Sequence, residues 1–305
     1  MKLDFLISAS PTDGFFGQIA FFRRALDALG GDYREARLVA VFGDHDAEVL
    51  PERWRPYFER IDIVWAHPVG AHNPAHRAQH DKRFEAIRDD ANLAFLCDAD
   101  VAPLRRFDEL LAQLADAPAL AGVIAHLHFP RDDLPRDPDR DWPELAEAVL
   151  GRPIERPYRY TFFAPEEAPA APFYINYGVL AGPPAMLRRF YRRDIAIRDA
   201  IADIVGHWWA PQIAVALASA DLSLPTVALP MRYNFPNDPI AERLYPNECT
   251  EIVFLHYLRT RFFDRGEIFA DAAAFERFMK TRLEGSNAIF QRFVANLTGG
   301  EFPFG

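Results

Sequence analysis

The feature that most constrains the fold is a repeated change of period over residues 3–129. Short, unbroken apolar runs alternate with stretches whose apolar residues recur every three or four positions. "LDFLISA" (3–9), "ARLVAVFG" (36–43), "IDIVWAH" (61–67), "LAFLC" (93–97) and "LAGVIAHLHF" (120–129) read as strands. Between them, Phe15, Ile19, Phe22, Leu26 and Leu29 share one helical face, and Gly30-Gly31 supplies a stop. Ser10 to Asp13 offers the turn and N-cap that precede this helix. A polar helix is expected from Pro74 to Asp89, and Phe107, Leu110, Leu111 and Leu114 mark another. Strands covered on both faces show no polar alternation, so the pattern predicts an α/β fold with a mostly parallel sheet.

The alternation breaks at residues 130–172, which are rich in Pro, Asp, Glu and Arg, with one short helical stretch at Trp142 to Leu150. A long irregular segment of this kind suits a lid or binding loop. Order resumes with "FYINYGVLAG" (173–182). Helices are expected at 185–193, 194–205 and 208–220, and apolar stretches at 224–229 and 252–256. Two more helical patterns, 271–283 and 287–297, close the chain, and there is no internal repeat.

With 305 residues, half of them apolar, the chain can bury a sizeable core. Its formal net charge of -10 argues against nucleic-acid binding, which relies on neutralising phosphates. Two cysteines, Cys97 and Cys249, do not make a disulfide framework; free thiols in a reducing compartment are expected. Asp4 interrupts the first apolar stretch, against a secretory signal, and no run approaches the roughly 20 apolar residues of a membrane span. The expectation is a cytoplasmic protein without a transmembrane segment, able to visit the inner membrane face for a lipid-linked substrate. "RRFYRRD" (188–194) is a basic helix face, read as solvated or as a contact for anionic lipid or a phosphorylated acceptor.

The chemistry concentrates in "AFLCDADVAPL" (94–104), where an apolar run ends in Asp98 and Asp100. Residues two apart on a strand point the same way, and paired carboxylates repel unless a proton or cation intervenes. A hard divalent cation is one solution, and the carboxyl ends of strands in an open α/β sheet are where ligands bind. Turn chemistry is the bland alternative. A haloacid-dehalogenase-type phosphatase is another, although three strands precede the motif and Ala102 stands at its fifth position.

"FLCDADV", "YINYGVLAG" (174–182), "ALPMRYNF" (228–235) and "IVFLHY" (252–257), in that order, resemble the GT-A nucleotide-sugar glycosyltransferases, specifically glycosyltransferase family eight, over roughly residues 1–260. The resemblance implies a Rossmann-like α/β/α sandwich with a C-terminal helical segment, in one domain spanning 1–305. Residues 1–129 would form the nucleotide-binding half, 130–172 an insertion or lid, 173–260 the acceptor and metal half, and 261–305 the C-terminal helices. It implies transfer of a sugar, with retention, from a nucleotide diphosphate donor, a UDP-sugar, to a glycan or lipid-linked acceptor. Asp98, Asp100 and His256 would ligate Mn²⁺ or Mg²⁺. Ala9, Ser10 and Asp13 would meet the nucleoside, with Ala99 between the two carboxylates. Lys82 would contact the donor, with Arg83 and Arg77 competing for that role, and Arg259 and Arg261 would bind phosphate. Asn176 would face the transferred sugar, with Gly178 permitting close approach.

The family's Asp-Gln-Asp segment falls at Ala210-Pro211-Gln212, so two acidic groups are absent and Gln212 is the surviving polar candidate. The family's Gly and Lys after the histidine are also absent. A catalytically silent relative that binds a nucleotide sugar or glycan is therefore the alternative. Trp208 and Trp209 read as core residues or as a stacking platform for a sugar ring.

Overall fold

All five apolar runs of the first 129 residues become strands of one seven-stranded sheet of order β10-β6-β9-β4-β1-β2-β3. The computed structural model describes residues 1–43, 48–67, 74–131, 135–206 and 208–305, and between 74 and 80 only the side chain of Gln79. Strands β1 (Leu3–Ala9), β2 (Arg37–Phe42), β3 (Ile61–Trp65) and β4 (Leu93–Asp98) run parallel. Their connections carry α1 (Asp13–Leu29), the short α2 (Gly31–Arg34) and α3 (Pro74–Glu85). Alternate residues feed two cores, one on each face: Leu3, Phe5 and Ile7 pack on one side and Leu6 on the other, as Phe95 and Cys97 do against Ala94 and Leu96. Thr12 caps α1 by accepting from the Phe15 backbone N–H.

After β4 the chain forms β5 (Val101–Pro103), α4 (Asp108–Asp116) and β6 (Leu120–Ile124). β6 is shorter than the apolar run suggests. Residues past Ile124 leave the sheet to bond the insertion: Thr161 donates its backbone N–H to Ala125 and Phe162 to His126. The insertion holds α5 (Pro138–Leu150) and a hairpin of β7 (Tyr158–Arg159) and β8 (Ala170–Ala171). β9 (Ile175–Gly182) then inserts between β4 and β6, antiparallel to both. The two helices expected at 185–193 and 194–205 are one, α6 (Pro184–Val205). Its buried stripe runs unbroken through Asp194, which ion-pairs with Arg198 one turn on. The basic stretch 188–194 is largely engaged: Arg188 meets Asp89, Arg189 the Leu222 carbonyl, and Arg193 Asp221.

α7 (Ala210–Asp221) leads to β10 (Thr226–Ala228) at the sheet edge, parallel to β6. A second, three-stranded sheet of order β11-β12-β5 is built from β11 (Phe235–Pro236), then, past α8 (Pro239–Leu244) and α9 (Pro246–Thr250), β12 (Phe254–His256). The C-terminal α10 (Ala272–Lys280) and α11 (Gly285–Thr298) return to α1, where Phe21 stacks on Phe269 and meets Phe290 and Phe293 edge-on. Among the described residues no helix is long and apolar enough to cross a membrane.

Candidate active site

The crevice lies where the strand order reverses: β1 is flanked by β2 on one side and β4 on the other, so the connections after them diverge. Register pairs Ser8 on β1 with Asp98 at the end of β4. The chain turns through Ala99 and Asp100 into β5, which pairs antiparallel with β12 so that Val101 faces His256. Tyr257 donates its N–H to the Asp100 carbonyl at 2.9 Å. A histidine remote in sequence is thereby fixed beside the two aspartates by a three-residue ladder. Gly178, on β9 alongside β4, completes the packing, since a Cβ there would overlap the His256 ring and the Asn234 side-chain oxygen.

His256 Nε2 stands 3.3 Å from Asp100 Oδ1 and 3.8 Å from Asp98 Oδ2. One ligand atom from each of the three residues lies within 4.8 Å of the others. Burial lowers the His256 pKa; Asp98 opposes this and Arg259 adds to it, leaving a neutral imidazole with a lone pair. Two carboxylates and a neutral imidazole converging in a cleft fit a divalent cation such as Mn²⁺ or Mg²⁺. These are the three residues expected from the sequence. His256 Nδ1 and Asn234 Oδ1 are both buried, and neither has a hydrogen-bond partner among the described residues.

The cleft around this cluster has a volume of about 600 Å³. Ser8, Ala9 and Ser10 line one wall, with Gln79 donating to the Ala9 carbonyl at 2.9 Å. Arg83 lines it too, over the Tyr177 ring at 5.4 Å, whereas neighbouring Lys82 points away and pairs with Glu85 at 2.6 Å. Of the competing candidates Lys82 and Arg83 it is Arg83 that reaches the cleft, because successive side chains on a helix diverge by about 100°. The side chain of Arg77 lies outside the described residues.

Asn176 and Gln212 both line the cleft. The Asn176 side chain meets His126 Nε2 at 3.0 Å and accepts from Gly178 N at 3.2 Å. Gln212, in the first turn of α7, donates to the Ile175 carbonyl at 2.6 Å. Trp208 lines the cleft with 78% of its surface exposed, while Trp209 is partly buried against the core. Three of the expected donor contacts sit elsewhere. Asp13 is engaged by Trp54 Nε1 at 2.7 Å and by Arg53 at 2.7 Å, and faces an adjoining cavity. Arg259 pairs with Asp238 at 3.0 Å, and Arg261 covers the Phe262 ring; neither lines the cleft.

Two residues at or beside the cleft carry no clear sequence signal. Arg265 enters the cleft from the loop after β12 and ion-pairs with Asp100 through Nη1 and Oδ2. Its nearness to His256 in the sequence was the one available hint. His126, just beyond β6, holds Asn176 while its other ring nitrogen meets Thr161 at 2.8 Å and its ring stacks on Phe162.

No model of a known protein family matches the sequence, and no curated protein matches it. Solved structures do. The galactosyltransferase LgtC, in complex with donor and acceptor sugar analogs, matches at 15% identity over 98% of this chain and 96% of that chain, with a TM-score of 0.52. An active-site mutant of LgtC matches over the same shares at 0.53. The bifunctional glycosyltransferase WbbM matches at 10% identity and 0.55, over 90% of this chain and 49% of that one. At such identities what is shared is the fold, and it is the GT-A fold that the sequence motifs led one to expect.

Proposed function

We propose that this chain is a metal-dependent glycosyltransferase similar to family eight. It moves a sugar from a nucleotide diphosphate donor, a UDP-sugar on the family likeness, to a glycan or lipid-linked acceptor, with retention. The observation that carries this reading is the convergence of Asp98, Asp100 and His256 at the switch point of the sheet. Its support from the comparisons is the fold shared with LgtC, a protein solved with donor and acceptor sugar analogs.

A divalent cation held by these three residues would neutralise the charge left on the departing nucleotide diphosphate. The remaining roles belong to the chain itself. Ser8, Ala9 and Ser10 hold the nucleoside at the end of β1. Arg83, fixed over Tyr177, faces the phosphates or the sugar. Asn176 presents its amide to the transferred sugar, oriented by His126. Gln212 is anchored through its N–H, which leaves its carbonyl oxygen for the ligand. Trp208 offers a flat apolar face at the mouth of the cleft. The half 1–129 thus supplies the nucleotide side and 173–260 the acceptor side and His256, within one domain. Two buried free thiols suit a cytoplasmic setting.

The test is UDP release from UDP-hexoses with Mn²⁺, with and without glycan acceptors. Turnover is expected, falling by about 100-fold or more in Asp98→Asn and His256→Ala. UDP binding without release from any donor would mark a silent relative. Turnover of a generic phosphomonoester with Mg²⁺ would favour the phosphatase.

A further inference from the structure

Asp100 uses its two oxygens differently. Oδ1 faces His256 Nε2 at 3.3 Å, and Oδ2 holds the Arg265 guanidinium. Arg265 is therefore bound to a carboxylate that a divalent cation at this cluster would also use. Its backbone is firmly placed. Gln18, buried on α1, donates Nε2 to the Arg265 carbonyl at 2.8 Å. Asp264 Oδ1 accepts from Gly266 N at 2.9 Å, and Gly266 packs so closely on Gly14 that a Cβ at 14 would overlap its carbonyl. The side chain itself is about one-third exposed and reaches into the cleft. The other arginines of this segment are turned away, Arg259 to Asp238 and Arg261 to Phe262.

We propose that Arg265 is a tethered cation with two stations, a deepening that rests on the metal-dependent transferase reading. At the first station its guanidinium neutralises Asp100 and competes with the divalent cation for that carboxylate. At the second, released by metal entry, it swings on its fixed backbone to the donor's diphosphate. There a planar fork of N–H donors matches phosphate oxygens better than a point charge would. Metal binding thus frees the group that grips the nucleotide, and nucleotide binding removes the competitor of the metal. By linkage each ligand tightens the other by the same factor.

The experiment titrates Mn²⁺ alone into the full chain by calorimetry, then UDP in saturating Mn²⁺, for the native protein, Arg265→Gln and Arg265→Lys. In Arg265→Gln, Mn²⁺ alone binds about tenfold more tightly and UDP about tenfold more weakly, the scale of one charge-assisted contact. Arg265→Lys keeps the charge and loses the fork. It holds Mn²⁺ affinity near the native value while UDP still weakens severalfold, and it decides the matter should the glutamine variant fail to fold. Mn²⁺ affinity unchanged or weaker in Arg265→Gln overturns the first station, and unchanged UDP affinity overturns the second. In either case native Mn²⁺ binding leaves the transferase reading standing. No Mn²⁺ binding by the native chain, with or without UDP, overturns both.

Discussion

His256 Nδ1 and Asn234 Oδ1 are buried, opposite in hydrogen-bonding character, and both border the space a side chain at Gly178 would fill. Asn234 has its orientation fixed, since Nδ2 donates to the Asn176 carbonyl at 3.1 Å and leaves Oδ1 toward the imidazole. An acceptor on that side favours the tautomer with hydrogen on Nδ1 and a lone pair on Nε2, the nitrogen facing the aspartates. Asn234→Ala is therefore expected to lower Mn²⁺ affinity about 10–100-fold, read by calorimetry, while Asn234→Asp retains it better. Equal affinity in all three proteins would show that the β-ladder alone orients the ring. His126 gives a pH signature. Burial, aided by Arg259 and opposed by Asp238, lowers its pKa to about 3, so the folded chain keeps it neutral. The unfolded chain protonates it near 6.5 and so binds more protons between about pH 3 and 6.5. Stability contributed by this residue is thus complete above pH 6.5 and is lost as pH falls through that window. The stability gap between the native protein and His126→Gln should shrink on going from pH 7 to pH 5, by at most about 2 kcal/mol. Urea midpoints at the two pH values check it; a constant gap would mean that His126 titrates normally in the fold.

At the scale of elements, α1 lends Phe15 to the cleft and packs through Gly14 and Gly17 against the segment that carries Arg265. A Cβ at Gly17 would overlap the backbone of Phe269, in the segment that delivers Arg265. Gly17→Ala should cost about 1–3 kcal/mol by overpacking and weaken UDP binding as the segment is pushed out. A melting scan together with a UDP titration reads both. The insertion has its own anchor: Asp141, fully buried, receives His128 at 2.8 Å, Arg131 at 3.1 Å and Arg140 at 2.8 Å, while Tyr160 joins His128 to Trp142. Asp141→Ala leaves these partners unmatched and should cost about 3 kcal/mol in urea unfolding. How much of this was legible follows from range. β1, β2, β4 and α1 were plain in the sequence because local period records which faces are covered. β5 and β11 were not, being two or three residues long and defined only by pairing with distant partners. Likewise Asp98 and Asp100 were visible because only Ala99 separates them in sequence, and His256 through its motif. Arg265 was hidden because its position depends on Gln18, which is 247 residues away.

For the whole molecule, the consequence of a site assembled from residue 8 to residue 265 is that a ligand there clasps most of the chain. Both halves of the sheet, the small β11-β12-β5 sheet and the loop before α10 each contribute a wall. A ligand confined to the folded state stabilises it by RT ln(1 + [L]/Kd), about 2.7 kcal/mol at 100 times Kd. At about 2 cal/mol/K per residue, 305 residues unfold with an entropy near 0.6 kcal/mol/K, so the expected rise in Tm is about 4 °C. The formal charge of -10 makes this rise informative, because an anionic nucleotide has no general attraction to such a chain and must be drawn by the cleft's own cations. UDP with Mn²⁺ should therefore raise Tm by several degrees, and UDP with a chelator by much less. Neither should move Asp98→Asn by more than about 1 °C, because that variant lacks one carboxylate of the cluster. A shift of equal size with the chelator, or in Asp98→Asn, would place the nucleotide away from the cluster and detach the Asp98–Asp100–His256 site from donor binding.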